Sequence, residues 1–159
     1  MKFGSSFNKI LVALTISLGA INLHAQINAN PQYDSLLAKK LGGNDWGMKN
    51  YVFVILKTGK NTTTNQAFKD SCFKSHMHNM DSLVKQGKLI VAGPIAKNDM
   101  EYRGIFILNA FNFKEAEVML KHDGAINQQL LEPLFFTWFG SAALSEYLPY
   151  ADKIWRSKP

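Results

Sequence analysis

The sequence contains little cysteine, little proline and no long run of charge of one sign. Its 159 residues include one cysteine, Cys72, which excludes an internal disulfide and which we expect to be buried. Eleven glycines and five prolines exclude a collagen-like or low-complexity chain. The absence of any run of five Lys or Arg argues against nucleic acid as a partner. The composition, 47% hydrophobic and 12% aromatic, is typical of one globular domain with a substantial core.

The first 25 residues have the pattern of a secretory signal peptide. Lys2 and Lys9 precede an apolar run over 10–20, and residues 23–25 offer a small-residue cleavage site. This run is shorter than the roughly 20 apolar residues that a membrane span needs. We therefore expect a periplasmic or secreted protein with no membrane association after cleavage; a buried N-terminal helix is the alternative. Cleavage would leave 16 basic and 12 acidic residues, a net charge of +4.

The rest of the chain divides into a lead-in at 26–50, a folded domain at 51–140 and a tail at 141–159 that packs on the domain. Apolar runs rich in β-branched and aromatic residues predict four strands, at 51–56, 89–92, 104–108 and 134–139. The first run is continuous, which is typical of a central strand buried on both faces.

Two segments between these strands have the 3.6-residue period of helices. The first helix covers 65–86 with an apolar face through Phe73, His76, Met77 and Met80. The second begins at Asn112, which caps it. The order β-α-β-β-α-β predicts a ferredoxin-like α+β fold, a four-stranded antiparallel sheet with both helices on one face. Apolar residues on the other sheet face favour a second subunit as its cover.

His76 and Asp123 are the main candidates for chemistry. His76 lies on the apolar face of the first helix and Asp123 directly follows the second. Taken singly, His76 is more simply a satisfied core residue, and Asp123 a helix cap. In the predicted fold the two helices lie side by side, so these side chains can approach each other. A carboxylate bonded to one ring nitrogen raises the basicity of the other, as a general base requires.

Other candidate groups give weaker signals. His76 and His78 are two residues apart on a helix and point in different directions, so we expect no metal site with His122. Arg103 follows the polar loop 95–102 and is a candidate for holding an anionic substrate. Gly93 and Pro94 form a turn that we expect to line a pocket rather than to bind phosphate.

A histidine on a helix, a glycine stop and an Ala-Gly-Pro turn follow one another within a short stretch. The residues are His76, Met77, Met80, Leu83, Gly87, Lys88, Leu89, Ala92, Gly93 and Pro94. This pattern resembles the signature of the YCII-related (YciI-like) domain family, and Ala116, Asp123 and Trp138 match that family as well. The resemblance covers residues 51–139.

The resemblance implies a dimeric α+β barrel, related to the muconolactone-isomerase type of fold. It also implies a His–Asp active site, carried here onto His76 and Asp123. One type of family member removes chloride from a hydroxylated aromatic compound, and most members have no established substrate. The family usually has proline directly after the aspartate, whereas this chain has Gly124, which fixes the geometry of the cap less firmly.

These observations together predict a small exported enzyme of lyase or isomerase type that needs no cofactor. His76 would take a proton next to a carbonyl or phenolic group, and Asp123 would orient it. Gly93, Pro94 and Arg103 would contact the substrate, a small cyclic or aromatic compound. The alternative is a homodimer without catalytic activity that binds a small molecule or has a structural role.

Overall fold

A computed structural model describes residues 30–151 and 153–156 of the chain. The chain divides into two units. Of the first unit, Met1–Tyr33, residues 30–33 are described and form a turn closed by a hydrogen bond of 3.0 Å from Tyr33 N–H to the Asn30 carbonyl. The second unit, Asp34–Pro159, carries the helices and strands. The predicted signal peptide lies outside the described residues and stays a prediction.

The four predicted strands are present, and each is longer than its apolar run. In chain order the elements are α1 (Ser35–Leu41), β1 (Met48–Thr58), α2 (Gln66–Lys85), β2 (Leu89–Pro94), β3 (Tyr102–Leu108), α3 (Phe113–Leu120), α4 (Gly124–Asn127), β4 (Leu131–Ser141), a 3₁₀ helix (Ala142–Tyr147) and α5 (Leu148–Ala151). The start of β4 was predicted too late because its pairing with β1 continues through Pro133 to Leu131, beyond the apolar run.

The strands form one antiparallel sheet in the order β2-β3-β1-β4, with β3 and β1 inside and β2 and β4 at the edges. On one face of β1, Val52, Val54 and Leu56 are at most 3% exposed. On the opposite face, Phe53 and Ile55 are half-buried. The expected burial of this strand is therefore complete on one face and partial on the other, because the core forms on the first face.

Helix α2 begins after Asn65, whose side chain accepts a hydrogen bond from Phe68 N–H at 3.1 Å. It ends before Gly87, which has the left-handed φ of +65° that glycine adopts freely. The buried stripe of the helix is rotated from the predicted one and consists of Cys72, His76, Asn79 and Leu83. The predicted Phe73 and Met77 are each 41% exposed, because they border a cavity rather than the core.

Helix α3 and the short α4 complete the layer above the sheet. Asn112 caps α3, since its side chain accepts from Glu115 N–H at 2.9 Å, and Ala116, Met119 and Leu120 are buried. These side chains join Leu83 of α2 and the inner residues of β1 in one hydrophobic core. The arrangement is the predicted ferredoxin-like α+β fold.

Two tyrosine hydroxyls bind the end of β4 and the segment after it to the sheet. The Tyr51 hydroxyl donates to the Ser141 carbonyl at 2.8 Å, and the Tyr147 hydroxyl donates to the Ile90 carbonyl. Tyr51 also packs against Trp138, with ring centroids 5.6 Å apart. Within the described residues, no helix combines the length and apolar character needed to cross a membrane.

Candidate functional site

His76 and Asp123 meet beneath α2, although 47 positions separate them in the chain. His76 Nδ1 lies 2.6 Å from Asp123 Oδ2. Asp123 is fully buried and His76 is 8% exposed. The sequence permits this contact without requiring it, and the structure brings the two side chains together.

Asp123 is also the cap of α4, so the structural and the functional interpretation both apply to it. Its Oδ1 accepts hydrogen bonds from the N–H groups of Ala125 at 3.0 Å and Ile126 at 3.1 Å. Its Oδ2 faces the histidine. A carboxylate that accepts these bonds is matched by a proton on His76 Nδ1, which leaves Nε2 as the nitrogen with a free lone pair. The pair therefore has the geometry of an oriented base.

Two aromatic side chains hold the imidazole ring of His76. The Phe106 ring of β3 lies nearly parallel to it, with centroids 5.9 Å apart and an interplanar angle of 24°. The Phe73 ring of α2 meets it edge-on, at 6.1 Å and 81°. Contacts on a face and an edge limit rotation of the ring, so its nitrogens keep their directions.

His76 borders a cavity of about 680 Å³ between α2 and the sheet. Apolar groups form most of its wall. The lining residues are Leu56, Thr58, Phe73, His76, Met77, Met80, Ala92, Gly93, Pro94, Arg103, Gly104, Phe106, Leu130 and Leu131. The predicted substrate-contacting residues Gly93, Pro94 and Arg103 all lie in this wall, together with the histidine.

Gly124 is required for the close approach of α4 to α2. A Cβ added at this position would lie 2.7 Å from Ser75 Cβ and 3.0 Å from the Cys72 carbonyl oxygen. Real Cβ atoms do not approach other carbon atoms so closely, so a side chain here would push the two helices apart. Gly124, at the position where the YCII-related family usually has proline, is therefore compatible with the His–Asp contact. It packs tightly against α2.

Several residues of the cavity wall are not among the predicted site residues. One is Thr58, whose hydroxyl oxygen accepts a hydrogen bond of 2.6 Å from Arg103 Nε. Phe106 was assigned only to a strand. Its side chain shares the helix-facing side of β3 with Gly104, a position that strand alternation could have shown.

The other candidates remain outside this site. His78 and His122 are exposed, and Cys72 is 6% exposed, as expected for a buried thiol. In the described part of the chain, no group of three or more His, Cys, Asp or Glu side chains could hold a metal ion.

Fold and site together define a ferredoxin-like α+β protein with a buried His–Asp pair beside an apolar cavity. No protein-family model matches the chain, and no curated protein matches it. Among solved structures it is similar to 5-chloro-2-hydroxyhydroquinone dehydrochlorinase from Burkholderia phenoliruptrix AC1100 in complex with 2,5-dihydroxybenzoquinone. The alignment covers 55% of this chain and 92% of that chain, with 19% identity and a TM-score of 0.39. So distant a likeness assigns neither a reaction nor a ligand to this chain.

Proposed function

We propose that this protein is a small enzyme of lyase or isomerase type in which His76 is the general base. The observation that carries this proposal is the 2.6 Å contact between His76 Nδ1 and Asp123 Oδ2 at the wall of a cavity. With Nδ1 held by the carboxylate, Nε2 takes a proton from a carbon next to a carbonyl group or from a phenolic hydroxyl. Asp123 stabilises the imidazolium that forms.

The proton on Nε2 then completes the reaction in one of two ways. In an isomerase it returns to a different atom of the same molecule. In a lyase the electron pair left by the proton expels a leaving group, and the proton is passed to that group or to water. Both routes regenerate neutral His76 without an oxidant or a reductant.

The cavity matches a small cyclic or aromatic compound as substrate. Its volume of about 680 Å³ lies within the range of roughly 300–1,000 Å³ that small-molecule sites occupy. The walls formed by Phe73, Phe106 and Leu131 favour a flat apolar ring. Apolar walls also lower the local dielectric, which strengthens the interaction of the histidine with developing charge.

A positioned general base contributes about 10²–10⁴-fold in rate, so the reaction needs a second source of stabilisation. Removing a proton from a neutral substrate leaves a negative charge on the ring or on its oxygen atom. Arg103 is the cation in the cavity wall and can stabilise that charge.

We propose further that the chain belongs to the YCII-related family and forms a homodimer. Paired residues on the sheet face opposite the helices form an apolar strip: Phe53, Ile55, Ile105, Ile107, Leu134 and Phe136. Lys57 and Glu132 lie beyond one end of the strip. An apolar centre with charged residues at its margin is the usual anatomy of a subunit interface.

The dimer can be tested by light scattering coupled to size-exclusion chromatography. Phe136 is 47% exposed on β4, the edge strand of the strip, and we expect Phe136→Lys to yield monomers. Phe111→Lys is the matched control, because Phe111 is 94% exposed and precedes α3 rather than lying in the sheet. A monomeric wild-type protein would refute the dimer.

The enzymatic proposal predicts turnover that depends on both members of the pair. Hydroxylated aromatics and lactones would be screened with the wild-type protein, with His76→Asn and with Asp123→Asn. We expect each substitution to lower kcat/KM by about 10²–10⁴-fold. His122→Asn is the matched control, because His122 is exposed and is not among the cavity-lining residues.

The tautomer of His76 gives a readout that does not need a known substrate. In ¹⁵N NMR spectra of the wild-type protein we expect the neutral ring to carry its proton on Nδ1. In Asp123→Asn the new amide N–H₂ can face Nδ1, so the proton should move to Nε2. A wild-type ring protonated on Nε2 would contradict the proposed base. Ligand binding without turnover by any variant would favour a binding function instead.

A further inference from the structure

Arg103 reaches the cavity because β3 contains a β-bulge. In the pairing of β1 with β3, Leu56 lies opposite Gly104 and Lys57 lies opposite Tyr102, so Arg103 is an extra residue with no partner on β1. Regular alternation would turn the Arg103 side chain to the face opposite that of Phe106. Arg103 and Phe106 both line the cavity, as expected where a bulge redirects the arginine.

Thr58 holds the redirected guanidinium group. Arg103 Nε donates to Thr58 Oγ1 at 2.6 Å, and the Thr58 hydroxyl donates to the Glu101 carbonyl at 3.3 Å. Thr58 N–H also donates to that carbonyl, at 3.0 Å, which fixes the threonine to the strand end. Because Nε is engaged by Thr58, the two terminal Nη groups of the guanidinium remain to bind a ligand.

The charge of the cavity favours a negatively charged ligand. Arg103 is the one Lys or Arg among its described lining residues, and those residues include no Asp or Glu. Asp123 is fully buried, and its two carboxylate oxygens face His76 and the backbone N–H groups at the start of α4. A guanidinium with both Nη groups directed at a ligand matches the two oxygens of a carboxylate.

We propose that the Thr58–Arg103 pair is a carboxylate-binding subsite, so that the substrate is a planar cyclic carboxylic acid. Arg103 binds the acid group, so it acts on the charge that develops at the reactive end through its field across the apolar cavity and not by direct contact. Thr58 is a positioning residue that holds Arg103 in the bulge. This inference rests on the proposed function, because it places the reactive end of the same molecule at His76. A carboxylate held at a fixed point orients the ring for proton transfer.

The subsite can be tested by calorimetric binding of two matched probes to the full chain. 4-Hydroxybenzoate carries the acid group, and 4-hydroxybenzamide is a neutral molecule of nearly the same shape. We expect the wild-type protein to bind the acid at least about 10-fold more tightly, as a charge-assisted hydrogen-bonded contact predicts. Equal affinity of the wild-type protein for both probes would overturn the inference.

Variants assign the preference for the acid to individual residues. Arg103→Gln should bind both probes equally. Thr58→Val should lose most of the preference, whereas Thr58→Ser, which keeps the hydroxyl, should retain it. Lys97→Gln is the matched control, because Lys97 is an exposed cation of the loop before β3. Melting curves show whether each variant is folded, and a folded Arg103→Gln that still prefers the acid would overturn the inference.

The same experiment separates this inference from the proposed reaction. His76→Asn should keep the preference for the acid, because His76 is not part of the subsite. Turnover that depends on His76 but shows no preference for acids would overturn the subsite alone. A preference for the acid that needs Arg103, combined with no turnover, would support the subsite and contradict the proposed reaction.

Discussion

Replacement of Gly124 by alanine tests how closely the His–Asp pair depends on the packing of two helices. The new Cβ would lie 2.7 Å from Ser75 Cβ and 3.0 Å from the Cys72 carbonyl. The backbone of α2 cannot yield easily, so α4 must move away from it. Asp123 is the cap of α4 and moves with it, which lengthens the bond to His76.

The expected loss of stability follows from two opposing terms. Overpacking a tight contact by one methyl group costs about 1–3 kcal/mol. Alanine in place of glycine in a helix stabilises the folded state by about 0.5–1 kcal/mol. The net loss therefore lies between about 0 and 2.5 kcal/mol and is centred near about 1.2 kcal/mol. At about 4 °C per kcal/mol for a domain of this size, the melting temperature should fall by about 5 °C. Kcat/KM should fall as well, since a carboxylate displaced by even 1 Å holds the imidazole less well.

Denaturant unfolding and ¹⁵N spectra of His76 measure these effects. Ser75→Gly removes the nearest atoms, so a double-mutant cycle should show a favourable coupling of at least about 0.5 kcal/mol between the two substitutions. Gly93→Ala is the control for stability, because a Cβ there would meet nothing within 4 Å. A Gly124→Ala protein with wild-type stability and an unchanged His76 tautomer would refute the reasoning.

Three further predictions concern the rest of the fold. Asn112→Ala removes the bond from Glu115 N–H and should cost about 1 kcal/mol in the free energy of unfolding. Burial raises the pKa of Tyr51 above 10.0, so its contribution to stability is present below pH 10 and is lost as the pH rises through the folded-state pKa. Stability above pH 10 should therefore depend less on pH in Tyr51→Phe. Cys72, 6% exposed, should react with a thiol reagent slowly in the native protein and rapidly in denaturant.

Each of these predictions has a simple check. Asn112→Asp keeps an acceptor at the cap and should restore stability. Tyr33→Phe, which replaces an exposed tyrosine, is the control; an equal effect of both substitutions on the alkaline profile would contradict the role of Tyr51. A native thiol that reacts at the denatured rate would contradict the burial of Cys72.

The strands and their order could be predicted because they depend on local patterns. The apolar run from Tyr51 to Leu56 and the shorter run from Gly104 to Leu108 identify β1 and β3 without tertiary information. The proximity of His76 and Asp123 followed from the fold, since adjacent helices in this topology bring their inner faces together.

The face of α2 that is buried against the core could not be predicted from the apolar period of the helix. Phe73 and Met77 are as apolar as core residues, and their period cannot distinguish the wall of a cavity from the core. The direction of Arg103 was equally hidden, because a β-bulge depends on the pairing register with β1 and leaves no mark on the hydrophobic pattern.

Asp123 both caps α4 and contacts His76, and these two roles constrain which residues can replace it during evolution. One oxygen accepts hydrogen bonds from the backbone of α4 and the other faces an imidazole, so a substitution at this position lowers stability whatever the activity of the protein. His76 caps no helix, but it is the partner of a fully buried carboxylate, so its replacement also lowers stability. Under the proposed function, relatives that retain the aspartate but have another residue in place of the histidine would lack the base, and we expect them to carry a different partner for the buried carboxylate.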